Sequence, residues 1–433
     1  MTLARPRFAP VGPRSYDTVV IGAGLAGLTA ALRLAEAGQR VIVLAKGVGA
    51  THLAPATIDV LGYVDGPVDS PARVLPAYAA ANPGHPYARL PVELLRACVD
   101  WFKARLGDHG YRGGLEENFL VPTAVGVAKP TALLPETMAA ADLRTGGRFI
   151  FVGLRGFKDF FPAYLADNLA RASLPSAASI TTRVVELTPP LADTRDVSAP
   201  GFARRFEQAE FRESVLVELG RRLVPGEKIG FPAVLGLGRA REVWHELETR
   251  LGHPVFEVPT LPPSVQGLRL FATMTTALRR HGARLVVGTT VAGAERSGNR
   301  VGGVVAQTAG RPLTYRARSF VLATGGFAAG GLELDSTGTI RETVFDLPLA
   351  GAPRPQRPPF GTGYFDEHAI SRTGVAVDEK MRPVNGADVP VYENVHAVGA
   401  TLGGAVPWRE ASGNGLSLAS GYAAASAILE VAS

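Results

Sequence analysis

Cysteine is almost absent from this sequence, because its 433 residues contain only Cys98. A disulfide framework, a zinc site built from several thiolates and an iron–sulfur cluster held by this chain alone each need more than one cysteine. The composition excludes all three, and we expect no metal site. Any redox chemistry carried out by this protein would therefore use a bound organic cofactor.

Lysine is also scarce, and the content of charged residues is low. Only six of the 45 Lys and Arg residues are lysines, and charged residues make up 19% of the sequence. The formal net charge of +6 is spread along the sequence, without a run of basic residues alternating with aromatic ones. Low charge and 50 glycines argue against a coiled coil and a disordered chain. The diffuse basic excess does not indicate a nucleic-acid partner.

Long hydrophobic runs are missing as well. The sequence has no stretch of 18 or more uncharged apolar residues, so it predicts no transmembrane helix. Its first residues lack the apolar segment and cleavage site of a signal peptide, and we therefore expect a cytoplasmic protein. The length fits two domains, or one large domain with an insertion.

The clearest pattern that is present lies near the N-terminus. Residues 16–21 form an apolar run typical of a strand, and residues 28–37 repeat apolar side chains at helical spacing. Gly38 is placed to end that helix, and residues 40–45 predict a second strand. This order predicts a βαβ unit.

The turn between the first strand and the helix has the spacing G-x-G-x-x-G. Its residues, which we predict to bind a cofactor, are Gly22, Ala23, Gly24, Leu25, Ala26 and Gly27. The first glycine permits a tight turn, the second lets the backbone approach a phosphate, and the third lets helix and strand pack closely. The helix N-terminus would offer N–H groups and partial positive charge to that phosphate. An ordinary tight turn is the alternative, but the βαβ context favours a dinucleotide or flavin site.

The end of the second predicted strand departs from the usual pattern. An Asp or Glu normally accepts hydrogen bonds from the adenosine ribose there, whereas this sequence has Ala45 followed by Lys46. Either another group holds the ribose, or the cofactor contains no adenosine, as in FMN. Lys46 is a candidate for binding phosphate, and a solvated loop residue is the alternative.

Two further glycine-rich segments follow predicted strands in the second half of the sequence. One strand ends in Ala323, Thr324 and Gly325, where glycine would let the chain pass close to a cofactor. Another ends at Gly399 and leads through a glycine-rich loop to a helix predicted over residues 415–430. The dipole of that helix would favour negative charge on the flavin N1 and C2 carbonyl. The residues predicted to contact the cofactor here are Gly399, Gly403, Asn414, Gly415, Leu416 and Ser417.

The middle of the sequence carries no motif of recognisable chemistry. Residues 64–91 contain six prolines and suggest a connection between domains, and residues 198–222 predict one helix. We therefore predict an α/β protein with two parts. Residues 14–75 and 262–433 would form a discontinuous Rossmann-like flavin-binding domain with a parallel sheet, and residues 76–261 would form an inserted α+β cap or substrate domain.

In these motifs the sequence resembles the flavoproteins that include fumarate reductase, succinate dehydrogenase and aspartate oxidase. Most closely, it resembles the family formed by the B subunits of anaerobic glycerol-3-phosphate dehydrogenases. The resemblance rests on residues 19–28, on the second strand without an acid, and on residues 397–404 with Ala400 in place of an acid. It covers both ends of the sequence well and the middle loosely.

This resemblance implies a flavin, FMN or FAD, and oxidation of sn-glycerol 3-phosphate to dihydroxyacetone phosphate. It implies two partners, namely a larger catalytic A subunit that bears FAD, and an iron–sulfur, membrane-associated C subunit that passes electrons towards quinone. The protein would then lie on the inner face of the membrane through a partner. Two alternatives stay open, namely a stand-alone FAD-dependent enzyme of the fumarate reductase or ketosteroid dehydrogenase type, and a non-catalytic structural protein.

The resemblance also suggests two residues for the chemistry. Arg409 precedes the predicted flavin-facing helix, in a loop where fumarate reductases place a substrate-binding arginine; a surface ion pair with Glu410 is the alternative. Thr51 and His52 lie where related flavoproteins bring a loop over the flavin. Histidine is the usual base near neutral pH, which makes His52 a candidate.

Overall fold

The computed structural model describes residues 14–107, 110–174, 179–190, 196–308, 310–353 and 358–432. None of the helices in these ranges is both long and apolar enough to cross a membrane. The helices are α1 (Leu25–Glu36), α2 (Pro71–Ala81), α3 (Val92–Arg105), α4 (Pro162–Ala170), α5 (Ala199–Phe206), α6 (Ala209–Gly220), α7 (Ala240–Leu251), α8 (Val265–Arg280), α9 (Pro407–Glu410) and α10 (Gly413–Ala432).

The strands described in the same ranges are β1 (Arg14–Ile21), β2 (Val41–Ala45), β3 (Tyr111–Gly113), β4 (Phe119–Pro122), β5 (Ala128–Thr131), β6 (Leu133–Pro135), β7 (Gly147–Leu154), β8 (Ile180–Leu187), β9 (Glu227–Pro232), β10 (Val255–Val258), β11 (Arg284–Val287), β12 (Thr290–Ser297), β13 (Arg300–Gln307), β14 (Leu313–Leu322), β15 (Leu332–Leu334), β16 (Ile340–Glu342), β17 (Leu349–Ala350), β18 (Gly374–Val375) and β19 (Val395–Ala397).

The main sheet has seven strands in the order β11-β2-β1-β14-β13-β12, with β19 beside the C-terminal half of β14. The strands β11, β2, β1, β14 and β19 are parallel, whereas β13 is antiparallel to both of its neighbours. All of β2 is buried, as expected for a parallel strand covered on both faces. The predicted βαβ unit is confirmed, with α1 beginning inside the glycine motif.

Three helices point their N-termini at the carboxyl edge of this sheet. Short turns lead from α1 into β2 and from α8 into β11, and these two strands are parallel. Both helices are therefore antiparallel to the strands of the sheet. α1 packs against α8 and α10. α10 runs parallel to α1, because Gly421 lies against Ala26 and Ser426, further along, accepts a hydrogen bond from Arg33.

Apolar side chains of the described residues form two large clusters. The first combines the main sheet with α1, α8 and α10, and it also includes Leu95 and Phe102 of α3. The second consists of residues between 120 and 265, with Phe151, Phe206 and Phe256 among its buried side chains. α3 thus packs with the main sheet although its residue numbers fall in the predicted insertion. The predicted domain boundaries themselves stay a prediction.

The segment predicted as an α+β insertion contains a sheet of a different kind. Its strands, in the order β10-β9-β7-β8, are all parallel, and helices α4 to α7 lie between them in sequence. Parallel neighbours need long crossover connections, which these helices provide. Two short antiparallel pairs, β3 with β6 and β4 with β5, also form here. The α/β class predicted for the protein is confirmed, but this sheet is itself α/β and not α+β.

Two segments differ from the sequence prediction in detail. The proline-rich residues 64–91 contain α2, which begins at Pro71 because proline suits the first turn of a helix. The helix predicted over residues 198–222 is two helices, α5 and α6, with a break at Glu207 and Gln208. The Glu207 carboxylate accepts hydrogen bonds from three successive backbone N–H groups of the loop before α7. This long-range contact is not visible in a local helical pattern.

His396 on β19 gives the fold a pH dependence. Burial lowers the pKa of His396 to about 4, although its Nδ1 lies 2.7 Å from the carbonyl oxygen of Lys380. An exposed histidine titrates near 6.5, so the unfolded chain takes up a proton at a higher pH than the folded one. Neutral His396 therefore contributes to the free energy of unfolding above about pH 6.5, and this contribution is lost as the pH falls towards 4.

We predict that His396→Gln flattens this pH dependence, because glutamine can donate to the Lys380 carbonyl and does not titrate. Between pH 7.5 and pH 4, the wild-type protein should lose about 3 kcal/mol more free energy of unfolding than the variant. Urea unfolding at a series of pH values measures both proteins. Parallel curves over that range would contradict the prediction.

Candidate functional site

The glycine fingerprint forms the turn between β1 and α1, at the carboxyl edge of the main sheet. Gly22 has a φ of +115°, and a Cβ there would collide with the carbonyl oxygen of Ala323. A Cβ on Gly27 would collide with the carbonyl oxygen of Gly22. A Cβ on Gly24 would meet nothing within 4 Å. Gly22 and Gly27 are thus needed for close packing of the backbone, whereas the space beside Gly24 is available to a ligand.

The electrostatic field at this edge favours an anion. α1 begins after Gly24 with no side-chain cap and no acidic residue in its first turn. The first turns of α8 and α10 also lack acidic residues. The partial positive charges of the three helix N-termini therefore meet in one region, as in known phosphate sites. The start of α8 is capped by Ser264, whose hydroxyl accepts from the N–H of Gly267, whereas α1 has no side-chain cap.

Residues 46–59, which we call the site loop, follow β2 and cross this edge. A Cβ on Gly49 would lie 2.7 Å from the Cα of Gly24, so the site loop passes directly beside the fingerprint. Next it reaches α8, where the backbone N–H of Ser264 donates to the carbonyl of His52 at 2.9 Å. A Cβ on Gly267 would collide with the carbonyl oxygen of Thr51.

The end of the site loop reaches α10. The Asn414 amide donates to the carbonyl of Thr57 at 2.8 Å, and the backbone N–H of Gly415 donates to the carbonyl of Asp59 at 2.9 Å. α10 begins eight residues before Gly421, the residue that lies level with the start of α1. At 1.5 Å per residue, its N-terminus extends about 10 Å beyond that of α1. The site loop therefore contacts two helix N-termini that are offset by about 10 Å. This offset leaves room for a phosphate at α1 and a flavin ring at α10.

The other glycine motifs lie beside the fingerprint. A Cβ on Gly399 would lie 2.8 Å from the Cβ of Ala26. The Thr401 hydroxyl accepts from the N–H of Gly325 at 3.1 Å and lies 3.3 Å from its carbonyl oxygen. Thr401 is fully buried and joins two predicted motifs, yet only its position two residues after Gly399 hinted at this role. Gly403 packs against the backbone of Gly374.

Buried polar atoms without partners are concentrated at this edge. Among the described residues, six of nine such atoms belong to the site loop, the start of α8 or the second glycine motif: Thr51 Oγ1, His52 Nδ1, Asp59 Oδ1, Thr324 Oγ1, and Nε2 and Oε1 of Gln266. Buried polar groups are nearly always paired, and an unpaired one costs about 1–3 kcal/mol. Together with the three helix N-termini, these atoms fit a site whose ligand supplies the missing partners.

The departures seen in the sequence persist in the structure. The end of β2 offers no carboxylate, because Ala45 is buried and its carbonyl accepts from the N–H of Thr289 at 3.0 Å. Lys46 is exposed, so its predicted contact with phosphate stays a prediction. No group of three or more His, Cys, Asp or Glu side chains within the described ranges could hold a metal.

Arg409 lies on α9, just before α10, with an exposed side chain. Its Nη2 donates to the carbonyl of Phe365 at 2.8 Å, and its Nη1 lies 3.6 Å from the carboxylate of Glu367. The alternative ion pair with Glu410 does not form, because the Glu410 carboxylate is buried and bound elsewhere. The role of Arg409 in substrate binding stays a prediction.

Glu410 anchors the segment between α9 and α10. Its carboxylate accepts from the Val406 N–H at 2.7 Å and from the Ser412 hydroxyl at 2.8 Å, and it lies 3.2 Å from Nε2 of His85. The N–H of Tyr87 donates to Nδ1 of His85, so Nε2 carries the proton given to Glu410. Burial opposes ionisation of Glu410, but these hydrogen bonds outweigh it and hold its pKa below the usual value. No local sequence pattern points to this pair, whose members lie 325 residues apart.

Comparison with known proteins defines the class. Residues 17–416 match the family of the FAD binding domain, so the chain belongs to this family and carries a flavin. Among solved structures it is similar to 3-ketosteroid Δ1-dehydrogenase from Sterolibacterium denitrificans, with 14% identity, a TM-score of 0.46, and coverage of 96% of this chain and 100% of the other.

The chain belongs, more particularly, to the family formed by the B subunits of anaerobic glycerol-3-phosphate dehydrogenases, and it is an oxidoreductase. It is 32% identical to the probable B subunit from Halobacterium salinarum over 432 residues, which cover 96% of this chain and 98% of the relative. It is also 32% identical to the B subunit from Pectobacterium carotovorum, over 96% of this chain and 99% of the relative. The family resemblance and the flavin inferred from the sequence are confirmed.

We predict different effects for two neighbouring glycines. Gly24→Ala should leave the unfolding free energy of the flavin-free protein within about 0.5 kcal/mol, because its φ of −72° suits alanine and the new Cβ meets no protein atom. It should weaken flavin binding about tenfold or more, because a methyl group would occupy the approach to the phosphate.

Flavin titration and urea unfolding measure the two effects. Gly22→Ala should instead destabilise the flavin-free protein strongly, through its collision with Ala323. Gly220→Ala, at the end of α6 with open space around it, serves as a control for both measurements. Unchanged flavin affinity in Gly24→Ala would contradict the predicted phosphate position.

We predict that Glu410→Ala destabilises the protein by about 3 kcal/mol or more, since it leaves the donors of His85, Val406 and Ser412 unpaired in a buried place. Glu367→Ala removes a nearby exposed carboxylate and should change the free energy of unfolding by less than about 0.5 kcal/mol. Equal effects of the two substitutions, measured by urea unfolding, would show that Glu410 does not anchor the segment.

Proposed function

We propose that this chain is the B subunit of a dehydrogenase that oxidises sn-glycerol 3-phosphate to dihydroxyacetone phosphate and delivers electrons to quinone through partner proteins. The observation that carries the proposal is the end-to-end match to relatives of that name, over 96% of the chain. The three helix N-termini at one edge support it, because a phosphorylated cofactor and a phosphorylated substrate both need an anion site.

Specific parts of this edge would hold the flavin. Gly24 and the first turn of α1 would bind a phosphate, and the N-terminus of α10 would face the N1 and C2 carbonyl of the ring. When bound, the flavin supplies a hydride acceptor for C2 of the substrate. The absence of an acid at the end of β2 makes FMN as suitable as FAD, because FMN has no adenosine ribose that needs an acceptor there.

Two side chains of this protein would act on the substrate: one would accept its hydroxyl proton, and the other would bind its phosphate. We assign the hydroxyl proton to His52, whose Nδ1 is buried without a partner and is held against α8 through its own carbonyl. We assign the substrate phosphate to Arg409, because a guanidinium can bind two phosphate oxygens at once. Substrate would compete there with Glu367 and with the carbonyl of Phe365.

The single cysteine supports the need for partners. Cys98 is buried on α3, and burial raises the pKa of its thiol far above the usual value. Electrons that leave the flavin for quinone would therefore pass to clusters on another polypeptide. We propose a FAD-bearing catalytic A subunit, together with an iron–sulfur C subunit that holds the assembly at the inner face of the membrane.

The test is anaerobic reduction of the purified protein by sn-glycerol 3-phosphate, with and without the partner proteins. We expect a flavin absorption band, bleaching by substrate in the assembly, and quinone reduction only when the partners are present. Release of the flavin by denaturation distinguishes FMN from FAD. Full turnover by the chain alone would favour a stand-alone enzyme. A folded, colourless protein that cannot be reconstituted would contradict both enzymatic functions.

A further inference from the structure

Gln266 is a buried amide with no partner in the protein. It is 1% exposed, it lies in the first turn of α8, and neither its Nε2 nor its Oε1 has a hydrogen-bond partner. A primary amide carries two donors and an acceptor, so burying all of them unpaired is costly. Such a group calls for an explanation, and beside a ligand site a ligand that satisfies it provides one.

The other buried polar side chains of α8 are satisfied by the protein. Arg269 donates to the Glu257 carboxylate at 2.6 and 2.8 Å and to the Gly236 carbonyl at 2.8 Å. Thr275 donates to the carbonyl of Phe271 at 2.9 Å. Gln266 differs from them in its position, because it lies at the end of α8 that meets the site.

The surroundings of Gln266 connect it to the same edge. It is one residue from Gly267, which contacts the carbonyl of Thr51, and two residues from Ser264, which donates to the carbonyl of His52. Thr51 is 6% exposed, and its hydroxyl is unpaired, as is Nδ1 of His52. Gln266 also shares a helix face with Leu270, which packs into the cluster of the main sheet.

The chemistry of these groups selects the kind of ligand. A phosphate oxygen only accepts hydrogen bonds, so it would satisfy Nε2 of Gln266 and leave Oε1 without a donor. A hydroxyl group both donates and accepts, and neighbouring hydroxyls on one carbon chain can pair with an amide and a threonine together. A hydroxyl-bearing chain therefore satisfies all of the unpaired atoms of Gln266 and Thr51.

We propose that Gln266, together with Thr51, binds hydroxyl groups of the ligand held at the carboxyl edge of the main sheet. Two sources have this chemistry, namely the sugar chain of the flavin and the hydroxyls of a polyol phosphate substrate. The first depends only on the flavin, and the second rests on the proposed function. Gln266 then contributes both affinity for the ligand and selectivity for hydroxylated over deoxygenated chains.

The test is Gln266→Leu, which removes both polar atoms and keeps an apolar side chain of similar volume. In the flavin-free protein the variant should unfold at a higher urea concentration, because an unpaired buried amide is gone. If the sugar chain of the flavin is the source, the dissociation constants of FMN and FAD rise at least tenfold. Thr275→Val, on the same helix but away from the site, should leave these constants unchanged.

If the substrate is the source, flavin affinity is unchanged in Gln266→Leu, and the dissociation constant of glycerol 3-phosphate rises at least tenfold. That constant is read from the perturbation of the bound flavin spectrum under anaerobic conditions. Gln266→Met provides a second apolar variant if the first does not fold. If the wild-type protein does not bind glycerol 3-phosphate, the proposed function is contradicted. The dissociation constants of FMN and FAD still test the role of Gln266 in that case. Unchanged affinity for flavin and for glycerol 3-phosphate in these variants would overturn the proposal.

Discussion

The structure depends on the close approach of β1, α1 and the end of β14 at the fingerprint turn. Gly22 and Gly27 leave no room for side chains there, so the carbonyl of Ala323 lies directly against the turn. This contact brings the glycine motif after β14 to the N-terminus of α1. Thr401 then joins the third motif to the second, and the N–H of Gly399 in the third motif donates to the Ser420 hydroxyl of α10. The carboxyl edge of the sheet thus becomes one continuous site built from distant segments.

At the carboxyl edge of the main sheet, several buried polar atoms have no hydrogen-bond partner in the protein. Three helix N-termini lack acidic residues, and unpaired atoms of Thr51, Thr324 and Gln266 lie in the same region. Other buried charged groups have partners. Glu257 pairs with Arg269, and Glu410 pairs with His85. The contrast indicates that the unpaired groups belong to ligand binding, because six of the nine unpaired buried atoms among the described residues lie at this edge.

The sequence was informative where the chemistry depends on local backbone geometry. The fingerprint, the βαβ unit and the glycine motifs could be predicted because glycine spacing and apolar runs are local signals. Glu410, Thr401 and Gln266 could not be found in this way, because their importance comes from burial and from partners far away in the sequence. The parallel sheet of the middle segment was missed for the same reason, since strand direction depends on which strands become neighbours.

The contact between α1 and α10 has a consequence for the order in which the site is completed. Arg33 and Ser426 meet across 393 residues of sequence, and the site loop contacts Gly24 before α1 and Asn414 at the start of α10. A growing chain can form the fingerprint turn early, but the surface proposed to face the flavin ring exists only after α10 has been synthesised. Contacts between residues so far apart in sequence form slowly, so we expect the proposed flavin surface to be completed late in folding.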